Sequence, residues 1–389
     1  MKTWHIITSE YPPQAGGVSD YTSLLARALH QAGDNVNVWA PSVPDVSEER
    51  LEDGIVVHRT LGTFGAQNLA KAGEKLREIR LADCEVLVQW VPHGYGKRSM
   101  NVGFCRWVES LSHLGFQISA MVHEPGHELH KGPWRNRLIA LVHRRMLRIL
   151  LRSAHRVLIS IPAWESYLRP YAPANLKFEW LPIPATIPVV SRKPADDSEI
   201  KVVGHLGTYA SVMKAMLAPA ISKLLETRPN SSFLLMGKGS EVFARALSAR
   251  HPAIAARIKS TGQLSDAALS RSISSCDMML QPFPDGLSSR RTSLMNALAH
   301  GVAVVSNLGH LSEDFWDSSK AVAITDPAHF VDTCIQLLDD ATARKSIAEK
   351  GSQLYRSRFD WPNVVSTLRS SPESLPSGLS DRRSNSYSR

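Results

Sequence analysis

At 389 residues the chain is longer than a single hydrophobic core usually carries, so two domains are expected. Hydrophobic residues at 43% and charged residues at 21% are the balance of a soluble globular protein, and no run nears the ~20 apolar residues that span a bilayer. The formal charge is +9, and the four scattered cysteines (Cys84, Cys105, Cys276, Cys334), with no Cys-x-x-Cys pair, fit a reducing compartment and argue against a cysteine-based zinc site.

The N-terminus has too short an apolar core for a secretion signal, so Trp4–Thr8 reads as the first strand of a cytoplasmic protein. The turn Pro12-Pro13-Gln14-Ala15-Gly16-Gly17 follows it. An apolar helix then runs from about Ser19 to Ala32, stopped by Gly33, and Asn35–Ala40 is the next strand. Glu85–Trp90, Gln117–Val122 and Arg156–Ser160 supply later strands. Lys131, Arg135, Arg137, Arg144, Arg145, Arg148, Arg152 and Arg156 form a basic run without an Asp or Glu. At helical spacing Arg137, Arg144, Arg145, Arg148 and Arg152 share one face, while Leu138, Val142, Ile149 and Leu150 fall largely elsewhere. That face is a solvated surface, a dock for anionic lipid headgroups or a nucleic-acid patch. No aromatic-interleaved basic motif or zinc finger supports the last, so no nucleic-acid partner is expected.

Residues 173–200 are Pro-rich, and 186–199 within them read as a linker between a first domain, 1–185, and a second, 200–352. The second half restarts with a strand over Ile200–Leu206, the turn Gly207-Thr208-Tyr209 and a helix over about Met213–Thr227. Strands at Ser232–Met236, Ile258–Thr261, Met278–Gln281 and Val302–Ser306 follow, with Gly237-Lys238-Gly239 closing the first of them. A last short helix lies near Val364–Leu368, and the Ser- and Arg-rich tail 370–389 is expected to be disordered. Strands alternating with helices in both halves predict an α/β protein with two parallel sheets. Such sheets bind ligands at the C-terminal edges of their strands, so candidate site residues lie just after strands.

Three groups meet that condition. Gly16-Gly17 leave backbone N–H groups open to a ligand, or else form a plain tight turn. In Val122-His123-Glu124-Pro125-Gly126-His127-Glu128, His123 at a strand end can bond a sugar hydroxyl or orient a reacting group; the alternative is a structural loop. A zinc-helix reading fails there because Pro125 and Gly126 break the helix that such His pairs require. In the second half, Ser288-Ser289-Arg290-Arg291 sit where a Gly- and Ser-containing turn opens a helix that ends at Gly301. A helix start attracts anions, and two guanidinium forks suit phosphate. Lys214, one turn into the helix after Gly207, is within reach of the same phosphate; the bland alternative for these cations is ordinary solvated charge.

From residue 1 to about 368 the chain resembles a retaining glycosyltransferase of the GT-B fold, in the family-4 group that uses nucleotide-sugar donors. Glu10-Tyr11-Pro12-Pro13-x-x-Gly16-Gly17-Val18-x-Asp20-Tyr21 resembles that family's opening, and Ser275-Cys276-Asp277 through Val305 its donor block. The segment Phe359–Trp361 resembles the point where such chains return to the first domain, which makes 353–369 a returning segment. The resemblance implies two Rossmann-like domains with parallel sheets facing an interdomain cleft. It implies His123 near the transferred sugar and Asp20, Tyr21 and Glu124 on the acceptor side. It also implies Gly16, Gly17, Gly207, Thr208, Lys214, Gly237, Ser288, Ser289, Arg290, Arg291 and Asn296 around the donor and its diphosphate, with no metal and no cofactor. The family's usual two glutamates, eight positions apart, are Ser288 and Asn296 here, and the Arg usual before the phosphate-binding Lys is missing from Ala210-Ser211-Val212. Arg290 and Arg291 stand in for the lost charge, and the run Asp285-Gly286-x-Ser288-x-Arg290-Arg291 resembles one particular subgroup; Asn296 keeps the capacity to bond a ribose hydroxyl.

The implied function is transfer of a sugar from a nucleotide-diphosphate sugar to a sugar, lipid-linked or other small acceptor, in polysaccharide or glycoconjugate synthesis. The basic helix Arg137–Arg152 adds a candidate peripheral contact with the inner membrane face. The rivals are a GT-B epimerase and a donor-binding scaffold without turnover.

Overall fold

The structure, a computed structural model, describes residues 1–96, 99–126, 134–190 and 200–370, except for the side chains of 134–136. Residues 191–199 of the expected linker, 371–389 of the expected tail, and the Lys131 end of the basic run lie outside the described residues.

The first half runs β1 (Thr3–Ile7), α1 (Gly17–Gln31), β2 (Asn35–Trp39), β3 (Glu49–Glu52), β4 (Ile55–His58), α2 (Ala66–Glu78) and β5 (Cys84–Trp90). It continues with α3 (Val102–His113), β6 (Gln117–Val122), α4 (Trp134–Ser153), β7 (Arg156–Ile159), α5 (Ala163–Leu168) and β8 (Phe178–Trp180). The eight strands form one sheet in the order β3-β4-β2-β1-β5-β6-β7-β8, parallel throughout except for the β3–β4 pair. β1 and β5 are buried along their whole lengths, as strands covered by helices on both faces must be.

The second half holds β9 (Lys201–Leu206), α6 (Ser211–Thr227), β10 (Ser231–Met236), α7 (Ser240–Arg250), β11 (Ile258–Ser260), α8 (Asp266–Ser274) and β12 (Met278–Leu280). Then come α9 (Thr292–Ala299), β13 (Ala303–Ser306), α10 (Phe315–Ser319), β14 (Ala323–Ile324), α11 (Phe330–Asp339) and α12 (Ala341–Leu354). Its all-parallel sheet has the order β11-β10-β9-β12-β13-β14. Counted along the chain that is 3-2-1-4-5-6, the doubly wound order whose ligand crevice opens where the order reverses, here between β9 and β12. In the first sheet the equivalent reversal falls between β1 and β5.

Two differences from the sequence reading have plain causes. The Pro-rich tract around 173–200 contains β8, which extends the first sheet beside β7. The hairpin β3–β4 went unassigned because Glu49-Arg50-Leu51-Glu52 is an exposed edge strand without apolar alternation. After α12 a π-helical turn, Tyr355–Phe359, leads into α13 (Trp361–Arg369). Val364, Val365 and Leu368 of α13 pack with Leu25 and Leu29 of α1, so the chain ends back on the first half. Arg156, 2% exposed, fastens that return: its guanidinium donates to the carbonyls of Leu368 (3.0 Å) and Thr367 (2.6 Å) and pairs with Glu179. Cations favour helix C-termini, where the last carbonyls lack intrahelical donors.

Candidate active site

Loops that leave β1, β6, β7, β9, β10 and β12 all emerge at C-terminal strand ends, which parallel pairing places on one edge of each sheet. The two edges meet. Ser289, after β12, donates its hydroxyl to the carbonyl of Ser160 after β7 (3.0 Å) and accepts from the Trp180 indole (3.1 Å), while Ile183 N donates to its carbonyl (3.0 Å).

The loop carrying the two arginines is laced to the one after β13. Asn307 accepts from Phe283 N (3.0 Å), donates back to the Phe283 carbonyl (2.8 Å), and takes Leu287 N on its own carbonyl. Gly286, at φ +90°, is obligatory: a Cβ there would overlap the backbone of Gly309. Glu313, which the sequence reading missed, accepts from Ser289 N (3.0 Å), the Ser289 hydroxyl and the Trp316 indole (2.6 Å). Burial pushes its carboxyl pKa up, and the Ser289 bonds oppose that rise.

This frame delivers Arg290 and Arg291 side by side, their side chains 16% and 24% exposed. Asp285 takes both, with one oxygen 2.6 Å from Arg290 and the other paired with Arg291. Arg290 also lies 3.9 Å from Glu124 and over the Trp164 ring (5.4 Å), and Arg291 lies over Phe283 (4.9 Å). The Nε groups of both arginines are buried with no hydrogen-bond partner among the described residues. Desolvation, then the neighbouring Arg290 charge, lowers the Arg291 pKa. Among the described residues the two cations thus share one carboxylate within hydrogen-bond distance, an arrangement that favours a further anion.

Across the seam, His123 follows β6. Its Nε2 lies 2.7 Å from Gln89 Oε1, which requires the imidazole proton on Nε2 and leaves Nδ1 as the acceptor. The ring meets Tyr21 edge-on at 4.9 Å, and burial lowers its pKa to about 3. His123 is therefore neutral at physiological pH. It can accept a hydroxyl proton or orient a sugar, but it adds no charge. Glu124, 47% exposed, reaches Arg290 as described. His127 and Glu128 of the same run lie outside the described residues.

At the start of α1 the structure adds an unexpected carboxylate. Glu10 Oε1 accepts from Val18 N (2.9 Å) and Ser19 N (3.0 Å), so an acidic side chain already answers the helix N-terminus. A Cβ on Gly16 would overlap that carboxylate, whereas one on Gly17 would meet nothing. The need for glycine at residue 16 is thus a need to admit Glu10, and Gly17 remains the open position. Asp20 has its carboxyl pKa raised by burial and then by Asp266 of α8 and by Glu10, so α1 faces the second half.

In the second sheet, Gly237 (φ +104°) packs so tightly that an added Cβ would lie 2.5 Å from the Gly207 carbonyl. The turns after β9 and β10 therefore touch. Thr208 follows Gly207 in the first of these turns, and Lys214 lies on α6 with Lys214 N bonded to the Ala210 carbonyl. Among the described residues no hydrogen bond or ion pair joins Lys214 to the arginine pair.

Four of the expected site residues are buried. Ser288 and Ser289 are fully buried, the first with its hydroxyl unpartnered and the second committed to Glu313 and Ser160. Asn296, expected near a ribose, is 3% exposed; its Oδ1 accepts from Thr186 N (2.9 Å) and Ile187 N (3.0 Å) and so pins the crossing between the halves. Tyr21, expected on the acceptor side, is 1% exposed, packed between His123 and Trp361. Each lies beneath the cleft surface because the segments around it pair across the seam.

Two parallel doubly wound sheets whose C-terminal strand edges face each other are the architecture of the GT-B fold. More particularly, residues 200–340 match the family described as "Glycosyl transferases group 1". The phosphatidyl-myo-inositol mannosyltransferase of Mycolicibacterium smegmatis is 25% identical over 90% of this chain and 88% of its own. Among solved structures, sucrose-phosphate synthase from Thermosynechococcus elongatus superposes with a TM-score of 0.69 at 15% identity, covering 95% of this chain and 97% of that one. Anabaena HepE, solved with UDP and glucose, gives a TM-score of 0.62 at 14% identity over 95% and 98% of the two chains. At such identities the structural likeness speaks for the fold.

Proposed function

We propose that the protein transfers a sugar from a nucleotide-diphosphate sugar to an acceptor with retention of configuration, in polysaccharide or glycoconjugate synthesis. The observation that carries this is the crowded pair Arg290–Arg291, seated at the interdomain seam against Glu124 and Trp164, beside the neutral His123. The two guanidinium groups stabilise negative charge that develops on the departing diphosphate, usually the largest catalytic contribution in such sites. Lys214 and Gly17, where an added Cβ would meet nothing, are assigned to the phosphate surroundings, and the cations take the place of a metal ion. Departure of the diphosphate and attack by the acceptor share one sugar face, so no covalent intermediate on the protein is invoked. His123 orients the transferred sugar, with Asp20 and Glu124 toward the acceptor. The places of the family's usual glutamate pair are assigned to Ser288 and Asn296, both buried, which is consistent with a subgroup without those carboxylates.

Two findings support a nucleotide sugar and a lipid-linked acceptor: HepE was solved with UDP and glucose, and the mycobacterial relative is named for a phosphatidylinositol acceptor. Among the described residues no helix is long and apolar enough to cross a membrane. On α4, however, Leu138 and Leu141 are each 54% exposed, next to the exposed Arg137 and Arg145. Apolar side chains flanked by arginines suit shallow insertion at an anionic headgroup surface. We therefore place the enzyme as a peripheral protein at the inner membrane face, with no nucleic-acid partner.

A panel of UDP-, GDP- and ADP-sugars, followed by calorimetry and by donor hydrolysis, tests the reaction. One member is expected to bind and to be hydrolysed slowly without acceptor; binding without hydrolysis or transfer over a broad acceptor set would point to a scaffold. For the membrane contact, phosphatidylglycerol vesicles should co-sediment the protein, and Leu138→Glu with Leu141→Glu should release it. Equal sedimentation of that variant would remove the α4 contact.

A further inference from the structure

We infer that Trp164 is a positioning residue that couples the phosphate-side cation Arg290 to the His123 segment across the interdomain seam. This inference rests on the donor reading above. Trp164, on α5 of the first half, makes two kinds of contact at once. Its indole N–H donates to the His123 carbonyl (3.1 Å) and reaches the Ser160 hydroxyl (3.1 Å). Its ring face carries the guanidinium of Arg290 at 5.4 Å. Ser160 ties the same corner: its hydroxyl donates to the His123 carbonyl (3.2 Å), and its own carbonyl accepts from Ser289, the residue before Arg290.

Among the described residues the charges facing Arg290 are few. Asp285 on its own loop lies at 2.6 Å, Glu124 of the first half at 3.9 Å, and Arg291 stands beside it. Asp285 moves with the second half and so cannot register Arg290 against the first. Glu124 is half-exposed and beyond hydrogen-bond distance, so screening weakens its hold. The aromatic face is partly buried, fixed by its own indole bonds, and attracts a guanidinium through the ring quadrupole. Trp164 therefore sets where Arg290 lies relative to the imidazole when the two halves meet. A nucleoside diphosphate meets a cation already placed, with less side-chain freedom left to lose.

Calorimetric titration with UDP, GDP and ADP, carrying forward whichever binds, tests the coupling on the full chain. Trp164→Leu should weaken nucleoside diphosphate binding by roughly 3- to 30-fold, the range a partly desolvated cation–π contact supports. Trp164→Phe keeps a ring face but loses the indole bonds, and should restore part of the loss. Arg290→Ala should weaken binding as well, and the Trp164→Leu, Arg290→Ala double variant should be no worse than Arg290→Ala alone, because the two act through one contact. Additive losses, or a Phe variant as weak as the Leu variant, would overturn the coupling and leave the donor reading standing. A wild-type protein that binds neither UDP, GDP nor ADP would instead remove the donor reading, and this inference with it.

Discussion

Replacing Arg290 and Arg291 together by Ala is expected to cut donor hydrolysis and sugar transfer by about 100- to 1000-fold, the cost of losing a preorganised charge-stabilising donor. The expectation follows from how the pair is held. Its loop is fixed by Asn307 and Glu313, so the guanidiniums are in place before a ligand arrives. Among the described residues Asp285 is the carboxylate within hydrogen-bond distance and is shared between them, while Glu124 stands 3.9 Å from Arg290 and half-exposed. Removing both cations also leaves Asp285 unpaired at a site meant for phosphate, so part of the loss would be repulsion rather than missing attraction. A triple variant with Asp285→Ala separates the two: if the cations matter in themselves, it stays impaired. Thermal unfolding should shift little, since both side chains reach the cleft edge and their ring contacts are partly exposed. Retention of transfer within about threefold of wild type would falsify the phosphate role assigned to this pair.

Arg156→Ala is expected to lower stability by about 3–5 kcal/mol, the cost of leaving a buried charge without its partner. For a domain of the first half's size that corresponds to a melting shift of roughly 6–20 °C. The side chain is 2% exposed, and its removal strands the Glu179 carboxylate, itself 10% exposed, along with the last carbonyls of α13. Because α13 packs on α1, the loss should free the C-terminal helix from the first half, which limited proteolysis would detect as cleavage near residue 360. Arg156→Met with Glu179→Leu should recover most of the stability by removing both charges at once. A melting temperature unchanged by Arg156→Ala would mean that α13 is held by its apolar face alone.

Much of the architecture was legible in the chain, and the reasons are local. Gln117–Val122 alternates with nothing and is simply apolar, the mark of a strand covered on both faces, and the structure has a strand over the same residues. Gly33 and Gly301 were read as helix stops, and both adopt positive φ just past helices. The edge hairpin β3–β4 and the strand β8 escaped notice because charge and proline mask a strand whose stability comes from its neighbour. The arginine pair stood out by residue type. Its partners did not: Asp285 belonged to the same run without a visible duty, while Trp164 and Glu313 carry no motif at all.

What the sequence determined alone was the alternation of strand and helix, the halves it builds and the turns where glycine is indispensable, because hydrophobic period and backbone freedom are properties of neighbouring residues. The tertiary structure decided which groups answer one another. Ser289 finds its acceptor 129 residues away at Ser160, Asn296 clasps a crossing 110 residues earlier, and Glu10 answers the N-terminal amides of α1. Such pairings depend on strand order and on how two sheet edges face each other. They become visible only once long-range packing has brought those distant segments within the few ångströms over which a hydrogen bond acts.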